Sequence, residues 1–419
     1  MSFDKIKSAS MCLLVSLLSP LAGAQAQCTG SVPASESHMY TALSNAMGTF
    51  QTSLDQRPQT ASSTPFAAKL DSATAAIGPA LLQTGAMQNV NAQLARYQQL
   101  GVQGVVIDMS FPLISQQYFT ANPGAGNLQQ YIAFYQQVIQ QCHQAGMKVL
   151  VESHPVYPSA TDQYSLKASK YTKSLSAASF FNAMVQQDGA IASLGPDFIS
   201  IVSEPNTDLV WTNQRVFASP SALAALVQAC TQAINAASPT TVAAAGAPNW
   251  QHDAQDFDSL LYPITGLGAI DIHVYFAGNH ELENATALAD SAHAVGKQIV
   301  VSESWLSKTG EGTPPVRPES GQVVSEKAAC SYGFWQPLDA QFIYSFFKWC
   351  NVEQPSFFAF FCSQLLFANL PYSQVHWLSD AEVMQEEKQA EKQAINADQF
   401  TNVGLYYGKL LTAPRQSQY

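Results

Sequence analysis

The feature that most constrains this chain is a rhythm. From Met87 onward, stretches with helical periodicity alternate with short, continuous apolar runs: "GVVIDMSF" from Gly104, "MKVLVESHP" from Met147, "DFISIVSEP" from Asp197, "TVAAAGAPNW" from Thr241, "GAIDIHVYF" from Gly268, "KQIVVSESW" from Lys297 and "SFFAFFCSQLLF" from Ser356. A further run near "PFAAKLDSATA" makes eight. Runs that are apolar throughout, without alternation, suit parallel strands covered on both faces. Helices between them supply the cover. The pattern predicts either a barrel or a doubly wound sheet.

The residues just after each run decide between the two. No GxGxxG or GxxxxGK[ST] opens a helix, so a nucleotide-binding sheet loses support. Polar and aromatic residues instead gather past several strands: His154 and Tyr157, Glu204 and Trp211, Asn249 and Trp250, His273 and Tyr275, Glu303 and Trp305. In a (β/α)8 barrel these strand ends converge on one mouth, where the active sites of that fold lie. The expected fold is therefore α/β, a (β/α)8 TIM barrel over residues 61–419, preceded by a helical extension and linker over 27–60. The run from Asp380 to Leu411 reads as a solvated closing helix.

At 12% charged residues and a formal net charge of −11, with no cluster of Lys or Arg, the chain lacks the electrostatic footprint of a nucleic-acid binder. Lys5 and Lys7 precede the apolar "MCLLVSLLSPLAG", and "AQA" at Ala24 to Ala26 offers a small-x-small cleavage pattern, so residues 1–26 read as a secretory leader. Gln27 before Cys28 argues against lipid anchoring, and no later run is apolar and long enough to insert in a membrane. The expectation is a secreted or periplasmic protein. Removing the leader leaves Cys28, Cys142, Cys230, Cys330, Cys350 and Cys362. In an oxidising compartment disulfides are open to them, while Cys142 and Cys230, in helical segments, read equally as buried thiols. Nothing in the sequence specifies an oligomer.

Two strand-end carboxylates stand out, Glu204 on strand four and Glu303 on strand seven. Strict alternation puts Glu204 on one side with Val202 and Ser200, and Glu303 with Val301 and Ile299, so that each tops a column facing the barrel interior. Two carboxyl groups ~5–5.5 Å apart are the machinery of retaining glycoside hydrolysis. His273 and Tyr275 share one parity, and a phenol donating to Glu303 favours its ionised form. Trp211, Trp250, Trp305, Trp335 and Tyr157 offer flat rings to a pyranose, or to the core. The excursion "KTGEGTPPVRPESGQVVSEKAACSYGFW" is long for a barrel connection, which suits a wall of a cleft.

The segment from about Met87 to Leu366 resembles clan A of the retaining glycoside hydrolases, the cellulase-, mannanase- and galactanase-like (β/α)8 group. "SEP" is similar to the clan's strand-four Asn-Glu-Pro, which implies the acid/base role for Glu204; "SESW" implies the nucleophile for Glu303. "HVY" resembles the clan's strand-six His-x-Tyr at His273 and Tyr275, and "ESHP" its strand-three histidine at His154. The resemblance implies cleavage of a β-linked oligo- or polysaccharide without metal or organic cofactor. It also implies substrate contacts at His154, His273 and Tyr275 and at Ser203 or Asn206, while Trp211, Asn249, Trp250 and Trp305 are candidate substrate contacts by their positions past strand ends. Two departures stand: Ser203 replaces the sugar-binding Asn, so that contact is lost, moved to Asn206 or carried by water, and strand two lacks the arginine of cellulase-like members.

Two rival readings stay open. One is a sugar-binding barrel without catalysis, suggested by Ser203. The other is a metallohydrolase using His154, His273, Glu152 and Asp271, although no HxH or HExxH spacing occurs. A serine hydrolase lacks its GxSxG elbow.

Overall fold

The computed structural model describes residues 31–123, 126–158, 162–277, 280–308, 316–317, 322–323 and 331–413. Eight parallel strands close into a barrel in sequential order: β1 (Phe66–Lys69), β2 (Gly104–Asp108), β3 (Lys148–Glu152), β4 (Phe198–Ser200), β5 (Val242–Ala245), β6 (Leu267–Asp271), β7 (Gln298–Val301) and β8 (Phe357–Phe360). This is the expected (β/α)8 architecture. The leader, Cys28, Cys330 and most of the excursion after β7 lie outside the described residues.

Alternation sorts each strand. Val105, Ile107, Val149, Val151, Ile199, Ile270, Ile299 and Val301 point outward into the large core beneath the helices, whereas Ala67, Val106, Leu150, Phe198, Ala244, Ala269, Val300, Phe357 and Ala359 fill the barrel interior. Phe198 and Phe357, with centroids 5.6 Å apart, plug the base. A Cβ on Gly104 would stand 2.7 Å from the Phe357 ring, so glycine makes room for the plug. Above these layers the interior turns polar, with Asp108, Glu152 and Ser200 adjacent in register across β2, β3 and β4.

The helix Ala86–Leu100 shows how the outer ring is specified. Val90, Leu94, Tyr97 and Leu100 recur at helical spacing and are buried against the barrel. Left-handed Gly101 ends it, φ 76°, as helix C-termini favour. The N-terminal helix Ser37–Asp55 buries Leu43, Met47, Phe50 and Leu54 against the helix Gln336–Glu353, so the extension is packed onto the barrel. The C-terminal region is two helices rather than one. Asp380–Ala397 stops at left-handed Asp398, and Asn402–Thr412 then docks Val403 and Tyr407 into the core. Only the first matches the expected solvated character, because the turn at Asp398 brings a second apolar face inward.

Cys142 and Cys230 are buried free thiols, both pushed up by burial, Cys142 to about 12. Cys350 and Cys362 are also buried. No helix among the described residues is long and apolar enough to cross a membrane.

Candidate active site

The site is built where the barrel ladder breaks. After β6 and β7 the chain pairs again as Val274–Phe276 against Ser304–Leu306, leaving residues 272–273 and 302–303 at the joint. There the Asp271 carboxylate takes the place of a ladder carbonyl. It accepts from the Ser302 amide at 3.0 Å and from the Ser302 hydroxyl at 2.6 Å, and on its other side from the Ser200 hydroxyl. This break corrects the parity expectation. Val301 and Ile299 face outward, and Glu303 reaches the mouth only because the strand is interrupted at Ser302. Val202 likewise lies in the outer core while Ser200 points inward, so Glu204 is placed by the turn after β4. On β6 alternation does continue through Asp271, His273 and Tyr275. Gly246 permits the close approach of β5 to this joint, since a Cβ there would stand 2.1 Å from the Asp271 carbonyl.

Glu204 is the N-terminal flank of the short helix Pro205–Thr212, with Pro205 at its first position, where a missing N–H costs nothing. The carboxylate therefore sits at the positive end of a helix and in the mouth at once. His273 ties it to Glu303: Nδ1 lies 2.8 Å from Glu204 Oε1 and 3.5 Å from Glu303 Oε2. The other ring nitrogen meets Ser302 Oγ at 2.8 Å and Glu152 Oε1 at 3.2 Å. Burial disfavours the imidazolium, but Glu303, Glu152 and Glu204 outweigh it and raise His273 well above its ordinary range.

Glu303 is held on both oxygens. Tyr275 donates its hydroxyl to Oε2, and the Lys69 ammonium stands 2.9 Å from Oε1. Burial pushes Glu303 up, yet Lys69 and His273 prevail and keep it below the usual carboxylate range. Lys69 also reaches Asp108 at 3.1 Å and Glu152 at 3.8 Å. Asp108 is likewise held down despite its burial, chiefly by Lys69, while Glu152 is raised to about 8 by burial and by Glu303.

Asp108, Glu152 and His154, and again Glu152, His273 and Glu303, bring ligand atoms within 4.8 Å of one another, spacing open to a metal. The Lys69 ammonium, however, already stands among Asp108, Glu152 and Glu303 and balances them. These donors fit a lysine.

The remaining candidates separate by exposure. Trp211 and Trp250 are half-buried, beyond the adjacent strands β4 and β5. Trp211 stacks near Tyr157 at 6.4 Å, and Trp250 sets its edge on Tyr275 at 4.5 Å. His154 is half-exposed, its Nδ1 2.8 Å from the Pro155 carbonyl oxygen and its ring 4.7 Å from Tyr157. Glu152 acts on His154 electrostatically, without a direct bond; that carboxylate turns to His273 and Lys69. Asn206 is half-exposed beside Glu204, and Ser203 is buried.

Asn249 and Trp305 take positions other than those expected, and Trp335 takes the core alternative. Asn249 is fully buried and its amide is spent on backbone, donating to the Glu281 carbonyl at 2.6 Å and accepting from the Tyr275 amide at 3.0 Å. It stands behind Tyr275 rather than at a substrate surface. Trp305 is 5% exposed and packs edge-on to Tyr275, as a support. Trp335, 1% exposed, belongs to the core against Tyr40 and Phe334. Lys69, Asp108 and Asp208 carry no signal in the sequence that sets them apart from other charged residues, yet all three join the site. Asp208 lies one helical turn beyond Glu204, accepts from Tyr157 at 3.2 Å, and is pushed to about 7 by burial.

Residues 70–340 match the family model for cellulase, glycosyl hydrolase family 5. The chain belongs to glycoside hydrolase family 5. The clan-level resemblance thus narrows to one family, although Ser203 and the strand-two position depart from its common pattern. No curated protein matches the sequence. Among solved structures, the chain is similar to exo-β-1,4-mannosidase Op5Man5 from an Opitutaceae bacterium, with 14% identity over 85% of this chain and 60% of that one, and a TM-score of 0.50. It is also similar to a GH5_18 protein from Bifidobacterium longum subsp. longum in complex with Manb1-4GlcNAc, with 13% identity, 84% and 79% coverage and a TM-score of 0.52. The chain therefore spans less than two thirds of the mannosidase's length. At these identities the likeness is one of fold.

Proposed function

We propose that this family 5 chain is a retaining glycoside hydrolase that cleaves a β-linked oligo- or polysaccharide. The observation that carries the reading is the shared contact at His273: one nitrogen lies 2.8 Å from Glu204 and 3.5 Å from Glu303. Those distances together keep the nearest oxygens closer than the ~6.5–9.5 Å that an inverting pair spans. Glu303, ionised beside Lys69, attacks the anomeric carbon, and the glycosidic bond breaks as Glu204 delivers its proton to the leaving oxygen. Glu204 then takes a proton from water, whose oxygen attacks the same carbon and returns the bonding electrons to the Glu303 carboxylate. Two inversions give net retention.

Half-buried Trp211, Trp250 and Tyr157 suit stacking on pyranose faces, and β-mannosides and β-glucosides are the first substrates to try. Part of the proposal is that residues 1–26 are removed on export and that the catalytic barrel is residues 61–419, carrying the 27–60 extension. Mass spectrometry of the exported protein should find a start near Gln25 or Gln27. Intact Met1 on a cytoplasmic pool would overturn export. The chemistry is tested by proton NMR of the first-formed product from aryl β-mannosides and β-cellobiosides. The β-anomer should appear first; an initial α-anomer, or sugar binding with no bond cleaved on a wide panel of β-glycans, would defeat it.

A further inference from the structure

We propose that Lys69 is a positioning residue for the reaction: a fixed cation that aims the Glu303 carboxylate and stabilises it both before attack and when it departs from the sugar. This rests on the reading of Glu303 as nucleophile. A lysine inside a barrel is costly to desolvate unless paired. Here the pairing surrounds it, with Glu303 at 2.9 Å, Asp108 at 3.1 Å and Glu152 at 3.8 Å, and the Phe361 ring centroid 4.1 Å from the ammonium. The scaffold holds every member. Tyr97 donates its hydroxyl to the Lys69 carbonyl, and Thr74 donates to Asp108 at 2.9 Å. With Tyr275 on the other oxygen, Glu303 is pinned from two sides.

A pinned carboxylate loses little freedom on reaching the transition state. When water attacks the glycosyl-enzyme, the electron pair of the breaking bond returns to an oxygen beside a fixed ammonium, which stabilises the developing charge. Asp108 and Glu152 matter as counterweights. They balance the cation, so that it does not bind Glu303 too tightly to let it act.

The groups facing Glu303 are Lys69 from β1, Asp108 from β2, Glu152 from β3, Glu204 beyond β4, and His273 and Tyr275 beyond β6. His154 and Tyr157 lie farther out beyond β3. The test reads Glu303 directly, by carboxyl ¹³C NMR of glutamate-labelled enzyme, the resonance being assigned by its loss in Glu303→Gln. In Lys69→Met the midpoint of Glu303 should rise by roughly 1–3 pH units, the effect of removing an opposite charge at this range. In Asp108→Asn it should fall by a smaller amount, since a like charge is removed. A lysine whose charge is spent on Asp108 and Glu152 and does not act on Glu303 would leave the midpoint where it is.

An unmoved midpoint in Lys69→Met overturns the proposal. If that variant fails to fold, a midpoint in Asp108→Asn that stays or rises overturns it instead. The mechanistic reading is separated by treating the wild type with 2-deoxy-2-fluoro β-cellobiosyl and β-mannosyl fluorides and mapping the label. Label on Glu303 together with the opposed shifts supports both. The shifts without label on Glu303 would remove the nucleophile role and leave only an electrostatic pairing.

Discussion

Two regions of this molecule bury carboxylates, and only one of them, the mouth, holds some of its acids low, Asp108 and Glu303 but not Glu152 or Asp208. At the mouth, Asp108, Glu204 and Glu303 stand against Lys69 and His273. Between the barrel wall and its helices, Asp188 and Asp258 are fully buried with no cation beside them among the described residues. Burial pushes Asp188 to about 7 and Asp258 well above its ordinary value, whereas Glu303 and Asp108, in the mouth, are held low. Burial alone neutralises an acid; only a placed cation keeps it charged. Cations are scarce in this chain, with Lys and Arg totalling 19, and Lys69 stands beside the carboxylate proposed as nucleophile.

The largest effect should come from removing the mouth acids themselves. Glu204→Ala loses the proposed proton donor, a contribution of roughly 10²–10⁴-fold on natural substrates. On an aryl glycoside with a good leaving group its first step should persist, the glycosyl-enzyme should accumulate, and azide should yield a glycosyl azide of retained configuration. Glu303→Ala removes the proposed covalent partner, so natural and activated substrates should be lost together, with any azide product inverted. Equal losses in both variants on the activated substrate, without an azide effect, would erase the distinction between the two acids.

A smaller effect probes how the charge is held. Tyr275→Phe removes the hydroxyl that donates to Glu303 while keeping the ring that Trp250 and Trp305 pack against. Hydrogen bonds to charged groups contribute about 1.5–3 kcal/mol, so kcat/KM should fall roughly 10–10²-fold. The sign on pH is fixed by the same contact: a donor that lowers Glu303 is lost, the acid rises, and the acidic limb of the profile moves to higher pH. A lower rate with an unmoved limb would show that the phenol acts on the sugar instead.

Much of the barrel was legible because its signal is local. Eight apolar runs mark eight strands, and the mouth residues come with them because strand ends converge by topology. What the sequence concealed depends on contacts between distant strands. Alternation placed His273 and Tyr275, but it failed at Glu303, where the Asp271 side chain replaces a ladder partner and turns the chain at Ser302. Lys69 reads as an ordinary lysine after "PFAA", and its interior position emerges only once β1 closes against β2 and β8. Asn249 resembled a substrate contact because it follows a strand, yet its amide bridges backbone 26 and 32 residues away. No local pattern reports that.

The smallest effect tests the cation-free region. Asp188 has its pKa raised to about 7 in the folded protein, from an ordinary value of 3.8. Below about pH 4 it is protonated in both folded and unfolded chains and contributes no pH dependence. Between about pH 4 and 7 the unfolded chain releases the proton and the folded chain keeps it, so this residue makes stability fall as pH rises, levelling off above about 7. Asp188→Asn does not titrate. Relative to the wild type it should gain stability progressively over that window, reaching roughly 1–4 kcal/mol at pH 8, read as a difference in denaturant midpoints at pH 4 and pH 8. Activity should be little changed, because the polar neighbours of Asp188 are Ser153 and Cys230 rather than Glu204 or Glu303. Depressed acids run the other way: Asp108 and Glu303 contribute stability above their unfolded values and lose it as pH falls through their folded ones. An Asp188→Asn gain equal at pH 4 and pH 8 would mean that packing, not proton binding, separates the two regions at this position.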